Sequence, residues 1–419
     1  MPQIKELLQE LNPWWKGTFN LVYKKREVYE KIQKFLPTSQ ILAFVGLRRV
    51  GKTTLMLKIA EDAIKRGHDP KNILYFSFDE LKEIEIREVI KAYEELLGNS
   101  VKNGKYIFLL DEIQKLNNWE GQLKTIYDMH KQNIKLIISG SESLFIRKKT
   151  KETLAGRIFE FKVSPLTFRE FIGFIGAKLN PVDLYKQEYK RLFNDYMFTY
   201  GFPELIDIKD KEIIKKYIKD GIIEKVLYRD IPTLFRIKNV SILESVLNIF
   251  MENPGQITEL VGLSKELKIS RRSLANYLYY LEKSFLIKKL YNFSKNRRKV
   301  ERKLKKYYPA MVSPDLLFRN DTLSISKVFE WSIITQLNAE FFWRDQYKNE
   351  VDAILTEGKS IPVEIKYGKL DVKNITAFMR LFNIKTGYIV SNDIEEKISV
   401  DDKVVFVVPA FKLLLDKDF

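Results

Sequence analysis

The sequence predicts an α/β chain that opens on a parallel β-sheet wrapped by helices, and three observations predict it. Residues 41–54 read Ile-Leu-Ala-Phe-Val-Gly-Leu-Arg-Arg-Val-Gly-Lys-Thr-Thr, an apolar strand running into a glycine-bracketed loop. A helical run over residues 54–65 follows it directly. Three more short, β-prone runs come later, at residues 73–78, 106–110 and 135–138, each flanked by helical patterns. That alternation is the signature of parallel strands covered on both faces.

The loop has the form G-x-x-x-x-G-K-T in strand-to-helix context, which is what makes such a motif specific. Gly46 and Gly51 permit close backbone approach and positive φ. The intervening Leu47, Arg48, Arg49 and Val50 present successive N–H groups, and the helix start at Thr54 adds its own, so the loop cradles an anion. Lys52 brings a positive charge to the terminal phosphates and Thr53 a hydroxyl for Mg²⁺. The sequence therefore predicts nucleotide binding, with ATP and Mg²⁺ as cofactors.

Size and composition bound the rest. At 419 residues the chain exceeds one ordinary core, and two to four domains are expected. No apolar run reaches the ~18 residues a membrane span requires. The first fifteen residues mix charges throughout and lack a signal peptide's apolar segment. A soluble, cytoplasmic chain is expected, with no membrane partner. Zero cysteines and only two histidines, His68 and His130, exclude disulfides, thiolate chemistry and Cys/His metal sites. Any metal should be Mg²⁺ or Mn²⁺ on carboxylates. The net charge of +17 favours a polyanionic partner such as DNA. Residues 295–306, KNRRKVERKLKK, hold eight basic residues against one glutamate. Alone, such a run also reads as a solvated surface loop.

In open α/β sheets ligands sit outside the carboxyl ends of the strands, so polar residues there face the same crevice as Lys52. The second run ends at Asp79, the third at Asp111-Glu112 and the fourth at Ser139-Gly140-Ser141. Asp111 suits the metal and its water shell, and Glu112 suits polarising the water that attacks the γ-phosphate. The plainer reading makes both helix-capping carboxylates. Ser139 or Ser141 suits sensing of the γ-phosphate, and a simple turn explains either serine equally well.

GLRRVGKTTL, IFLLDEIQKLNNWE, IISGSESL, LAGRIFEF and VSPLTFREF occur in this order. Together with FTYGFPELID, IIEKVLYRDIPTLF and VDAILTEGKSIPVEIKYG, the chain resembles the archaeal and bacterial AAA-type ATPases that carry a C-terminal DUF4143 region. The resemblance runs from about residue 24 to residue 367. It implies phosphate binding by Gly46, Gly51, Lys52, Thr53 and Thr54, metal and water roles for Asp111 and Glu112, and a sensor around residues 139–141. It also implies that Arg157, in LAGR, stabilises γ-phosphate charge in cis or from a neighbouring subunit. A structural salt bridge is the competing reading. Arg48 and Arg49 are family traits that suit contact with nucleotide or another domain. Leu47 departs from the proline of many relatives, which bears on loop rigidity and not on chemistry.

Residues 166–239 read as helices broken at Gly201-Phe202-Pro203, a lid or joint. Residues 257–293 outline a helix-turn-helix with a following strand. Leu260, Leu263 and Leu267 mark one helix, and Ser270 caps the next. Leu274, Tyr277, Leu278, Leu281 and Phe285 line that second helix, which opens with Arg271-Arg272 where a groove-reading helix meets DNA. Lys295, Arg297, Arg298, Lys299, Arg302 and Lys303 follow in the place of a wing. If ~5 such side chains met phosphates, log affinity would fall with log salt at a slope near −4.5. Winged helices also serve as protein–protein modules, so both uses stand.

Residues 351–355 and 361–367 read as two strands joined at Glu357-Gly358-Lys359. Alternation places Glu364 and Lys366 on one face, with Val363 and Ile365 toward the core. Asp352 on the neighbouring strand and Glu364 then make a two-carboxylate Mg²⁺ site, Lys366 orients water, and Glu330 completes it from an upstream helix. The arrangement resembles the PD-(D/E)xK nucleases of restriction-endonuclease-like fold. A salt-bridged hairpin, or a nuclease fold that no longer cuts, fits the same spacing.

The expectation is thus a P-loop NTPase core of RecA/AAA-like parallel-sheet type (1–165), a helical lid (166–239), a winged helix with its basic segment (240–310) and a nuclease-like α/β domain (311–419). Its function would be DNA-associated ATP hydrolysis, with a STAND-like switch as the alternative. The sequence leaves oligomeric state open.

Overall fold

The computed structural model describes residues 2–79, 81, 84–141, 152–235, 237, 239–296, 300, 304–337, 339–356 and 358–416. The chain divides into two compact units, Met1–Pro165 and Leu166–Phe419.

In the first unit, five strands form a parallel sheet: β1 (Ile41–Gly46), β2 (Ile73–Ser77), β3 (Tyr106–Asp111), β4 (Ile134–Ser141) and β5 (Ile158–Lys162). Their spatial order is β2-β3-β4-β1-β5, with every adjacent pair parallel. All six residues of β1 are buried, as expected of a central strand covered on both faces. Strands β1 to β4 answer the four apolar runs of the sequence. β5 was not among them: its pattern is half exposed, as an edge strand's often is, so hydrophobicity gave it no signal.

The opposite edge, β2, is covered by the N-terminal leader. The buried Asn12 side chain donates to the Tyr75 carbonyl (2.9 Å) and accepts from the Tyr75 N–H (2.7 Å), mimicking a neighbouring strand. Trp14 and Trp15 both donate their indole N–H to the Ile73 carbonyl, at 3.0 and 2.9 Å. An otherwise open edge is thereby hydrogen-bonded and shielded from pairing with other chains.

The second unit holds β6 (Gln256–Thr258), β7 (Ile287–Asn292), β8 (Lys305–Pro309), β9 (Phe341–Arg344), β10 (Glu350–Leu355), β11 (Ile361–Lys366), β12 (Thr386–Ser391), β13 (Glu396–Val400) and β14 (Lys403–Pro409). They form one mixed sheet in the order β13-β14-β12-β11-β10-β9-β7-β8-β6. Residues 240–310 and 311–419, expected to fold as separate domains, share this sheet. The join is the parallel pairing of β7 with β9, where Tyr291 and Asn292 face Phe341 and Phe342. No sequence pattern announces a pairing between strands some fifty residues apart.

The helix Lys373–Phe382 packs Ile375, Phe378 and Met379 against Val351, Ile354, Ile389, Val405 and Val407. Gly387 of β12 makes room for it, since a Cβ there would lie 2.9 Å from both Ile375 and Met379. Among the described residues, no helix is long and apolar enough to cross a membrane.

Candidate nucleotide site and the C-terminal carboxylate cluster

β1 delivers the chain into the loop at Gly46. A side chain on Gly46 would run into the Val163 carbonyl oxygen, so only glycine fits. Gly51 lies in the left-handed region (φ 92°, ψ 26°) as the N-cap of the helix Lys52–Lys65. The first turn of that helix therefore points its N–H groups into the loop. The Lys52 ammonium is buried and donates to the carbonyls of Gly46 (3.0 Å) and Leu47 (2.9 Å). Leu47 and Val50 are buried. Arg48 is half-buried, while Arg49, held at φ 63°, is exposed along with Thr54.

Asp111 ends β3 and gathers the site. Its Oδ2 accepts from the Thr53 hydroxyl at 2.6 Å and from the Tyr75 hydroxyl at 2.9 Å. Its Oδ1 accepts from the Ser139 hydroxyl and, at 3.0 Å, from the Glu112 N–H. Oxygen donors converging on Thr53 and Asp111 match the hard-cation chemistry of Mg²⁺, so the residues present fit that ion. Glu112 adopts φ 54° and ψ 39°, a left-handed conformation that costs a non-glycine residue free energy and is commonest at functional sites. Burial pushes its carboxyl above the usual range, Asp111 and Asp79 add to this, and Lys52 and Arg48 oppose it. The Gln114 amide donates to Glu112 Oε2.

Ser139 is fully buried, and its hydroxyl donates to Asp111, the carboxylate expected to hold the metal. The side chain of Ser141 lies outside the described residues. Arg157 is a correction in part. Its backbone carbonyl accepts from the Ile41 N–H at the start of β1, and its side chain pairs with Asp128 at 2.9 Å. It thus stands at the amino end of the strands, with the length of β1, about 17 Å at ~3.3 Å per residue, between it and the loop. That placement speaks against a role in cis.

Two residues were missed by the sequence reading. Tyr75 looked like one more β-prone aromatic, yet it bonds Asp111, and burial ahead of the nearby carboxylates raises its hydroxyl pKa well above the usual value. Arg26 is buried and donates to the Val50 carbonyl and the Ser164 carbonyl, both at 2.7 Å, bracing the loop from a segment that carries no motif.

In the second unit, Ser270 caps the helix Arg271–Lys283 by accepting from the Ser273 N–H at 3.0 Å. Leu274, Leu278 and Leu281 are buried, while Arg271, Arg272 and Lys295 are exposed. Arg297, Arg298, Lys299, Arg302, Lys303 and Glu357 lie outside the described residues. Lys306, counted in the basic run, turns inward.

Its ammonium sits 2.6 Å from Glu350 Oε1, 3.4 Å from Asp352 Oδ1 and 3.7 Å from Glu330 Oε1. Burial alone lowers the Lys306 pKa, but Tyr308 and the three carboxylates more than offset it and the net shift is upward. The Tyr308 hydroxyl donates to Glu330 at 2.7 Å, the Arg344 guanidinium to Glu350 Oε2 at 3.0 Å, and the Ile365 N–H to Asp352 Oδ2 at 2.9 Å. Lys366 pairs with Glu364 Oε1 at 2.7 Å. Glu364 and Lys366 share a face as alternation expects, but that face is covered too: β11 is buried on both faces, and Glu364 is 1% exposed. Burial, with Asp352 adding and Lys366 opposing, pushes its carboxyl up to about 7. The expected Mg²⁺ site thus holds the Lys306 ammonium beside Asp352 and Glu330, while Glu364 pairs with Lys366. Among the described residues, no group of three or more His, Asp or Glu side chains is arranged to hold a metal ion.

The first unit therefore has the fold and loop of a P-loop ATPase. Residues 38–172 match the AAA domain family AAA_14, residues 190–310 the domain of unknown function DUF8612, and residues 329–413 the domain of unknown function DUF4143. The uncharacterized protein MJ1544 of Methanocaldococcus jannaschii is 28% identical, over 93% of this chain and 92% of that protein. A second protein of that organism, MJ1637, is 26% identical over 89% and 86%. An uncharacterized protein of Haemophilus influenzae is 27% identical over 63% and 66%. Among solved structures, a RuvB variant of Thermotoga maritima aligns at TM-score 0.31 and 14% identity, covering 67% of this chain and 94% of that one. Cdc6p of Pyrobaculum aerophilum aligns at TM-score 0.31 and 12% identity, covering 76% and 97%. At that score neither likeness bears on function. The chain thus carries an AAA-type ATPase domain followed by a C-terminal DUF4143 region.

Proposed function

We propose that this protein binds and hydrolyses ATP in its first unit and acts on DNA through its second. The observation that carries the first half is the convergence of Lys52, Thr53, Asp111 and Glu112 at the carboxyl end of one parallel sheet, with Thr53 and Asp111 2.6 Å apart. The loop amides and Lys52 hold the phosphates and draw charge from the γ-phosphate. Thr53 and Asp111 would hold Mg²⁺, which when bound neutralises phosphate oxygens. Glu112 accepts a proton from the attacking water, and its unusual backbone keeps the carboxylate at the sheet's end. Replacing Glu112 by Gln keeps the size and removes the base. Glu112→Gln should bind ATP with little change in affinity while turnover falls ~10²–10⁴-fold, read by calorimetry and phosphate release. Turnover surviving at the native rate would sink the assignment.

DNA contact is supported by the net charge of +17 and by the exposed Arg271-Arg272 pair opening a serine-capped helix beside a three-stranded ribbon, β6-β8-β7. That order of helices and strands is the reading of a winged helix, and the strands beyond it are read as a nuclease-like sheet. One observation favours the alternative of an ATP-dependent switch that holds DNA or protein without cutting. It is the ammonium of Lys306 beside Asp352 and Glu330, two of the three carboxylates that cleavage would require.

A further inference from the structure

The nuclease-like reading asks Asp352 and Glu364 to share a divalent ion, and the oxygens can be followed one by one. Asp352 Oδ2 is taken by the Ile365 N–H, and Oδ1 faces Lys306. Both oxygens of Glu350 are engaged, by Lys306 and Arg344. Glu330 Oε1 receives the Tyr308 hydroxyl and lies within reach of Lys306. Glu364 Oε1 holds Lys366, which leaves Glu364 Oε2 as the buried oxygen of this cluster with no hydrogen bond. That buried oxygen, with the Glu330 Oε2 that no described side chain engages, is the strongest hint of an absent ion. A hard divalent cation, however, draws on several oxygens at once, and here Glu350 and Asp352 have both of theirs engaged. Charge points the same way. Three cations (Lys306, Arg344, Lys366) already stand against the four carboxylates (Glu330, Glu350, Asp352, Glu364), so a divalent ion at Asp352 would have to displace Lys306 or sit beside its like charge.

β8 is built to deliver this ammonium. Lys306 and Tyr308 are two residues apart and so share one face of the strand, and both reach the cluster. Gly255, at φ 76°, packs closely on Tyr308 and Glu330: a Cβ there would lie 2.9 Å from the Tyr308 hydroxyl and 3.0 Å from Glu330 Oε1. A Lys side chain that is 4% exposed and ringed by acids is a fixed internal cation, not a member of a DNA-facing surface.

We infer that Lys306 occupies the cation position of the C-terminal carboxylate cluster and closes it to divalent metal, which makes this sheet a non-cleaving scaffold tied together by β8. The inference is independent of ATP binding in the first unit, and its failure would leave that reading intact.

The test is Mn²⁺ binding to the nucleotide-free full-length protein, followed by electron paramagnetic resonance, for the native chain, Asp352→Asn, Lys306→Ala and the Lys306→Ala/Asp352→Asn double variant. Native protein and Asp352→Asn should bind Mn²⁺ identically. Lys306→Ala should gain one Mn²⁺, at least tenfold tighter than anything Asp352 contributes to the native chain, and the double variant should lose it again. Mn²⁺ bound by the native chain and lost in Asp352→Asn overturns the inference, as does folded Lys306→Ala that takes up no ion. Should Lys306→Ala fail to fold, the native and Asp352→Asn pair decides, supported by incubation with supercoiled DNA and Mn²⁺. Nicking by the native protein that Asp352→Asn abolishes counts against the inference, and identical Mn²⁺ binding with intact DNA supports it. ATP turnover measured alongside should be the same in all four proteins.

Discussion

Burial pushes the carboxyls of Glu112 and Glu364 in the same direction, and at Glu364 the consequence is a pH-dependent stability. Its carboxyl stands at about 7 in the folded chain against an ordinary 4.5. Between those values the folded state holds a proton that the unfolded state has released. The contribution is therefore complete below the ordinary value and is lost as pH rises through about 7. The whole effect is bounded at ~3 kcal/mol. Urea unfolding should show the native protein losing stability from pH 5 to pH 8 relative to Glu364→Gln, in which the slope is flattened. Equal slopes would show that the burial has been misjudged. The residue types at both carboxylates were visible in the sequence because strand ends and E-x-K spacing mark them. Burial was not, because alternation says nothing about a strand covered on both faces.

The N-terminal leader and β2 act as one element. Asn12 stands where another strand would, and its amide also donates to the Leu8 carbonyl at 2.8 Å. Asn12→Ala would strip Tyr75 of partners for both backbone groups on a buried edge, at a cost of ~2–3 kcal/mol. Thermal unfolding of the first unit should move down accordingly. A change within experimental error would mean water reaches that edge. The same substitution loosens the strand that aims Tyr75 at Asp111, so ATP affinity at the proposed site should weaken with it. Nothing in the leader's sequence signals this, since side-chain mimicry of a strand has no periodicity.

At the scale of the molecule, the ATPase unit precedes the unit that carries the winged-helix reading, and the proposed function requires them to communicate. DNA should raise ATP turnover at low ionic strength. Its binding should weaken with salt at a log–log slope near −4.5 if about five phosphates are met. Arg271→Ala/Arg272→Ala should reduce that slope by ~2 while leaving turnover without DNA unchanged. A chain whose ATP turnover ignores DNA at low salt would argue for the switch reading with a protein partner.

The loop at residues 46–54, the carboxylates ending β3 and the four buried strands were all determined by sequence alone. Each depends on contacts local in the chain: a strand, a turn that needs glycine, a helix start. Arg157 and Lys306 show what was not. Arg157 keeps a motif position but stands at the amino end of the sheet with Asp128, and Lys306 looks like part of a solvated basic run yet lies among acids from β10 and the helix Thr322–Gln336. Which end of a sheet a residue occupies, and which charges meet in its interior, follow from long-range strand order and register. Those were decided only when the chain closed on itself.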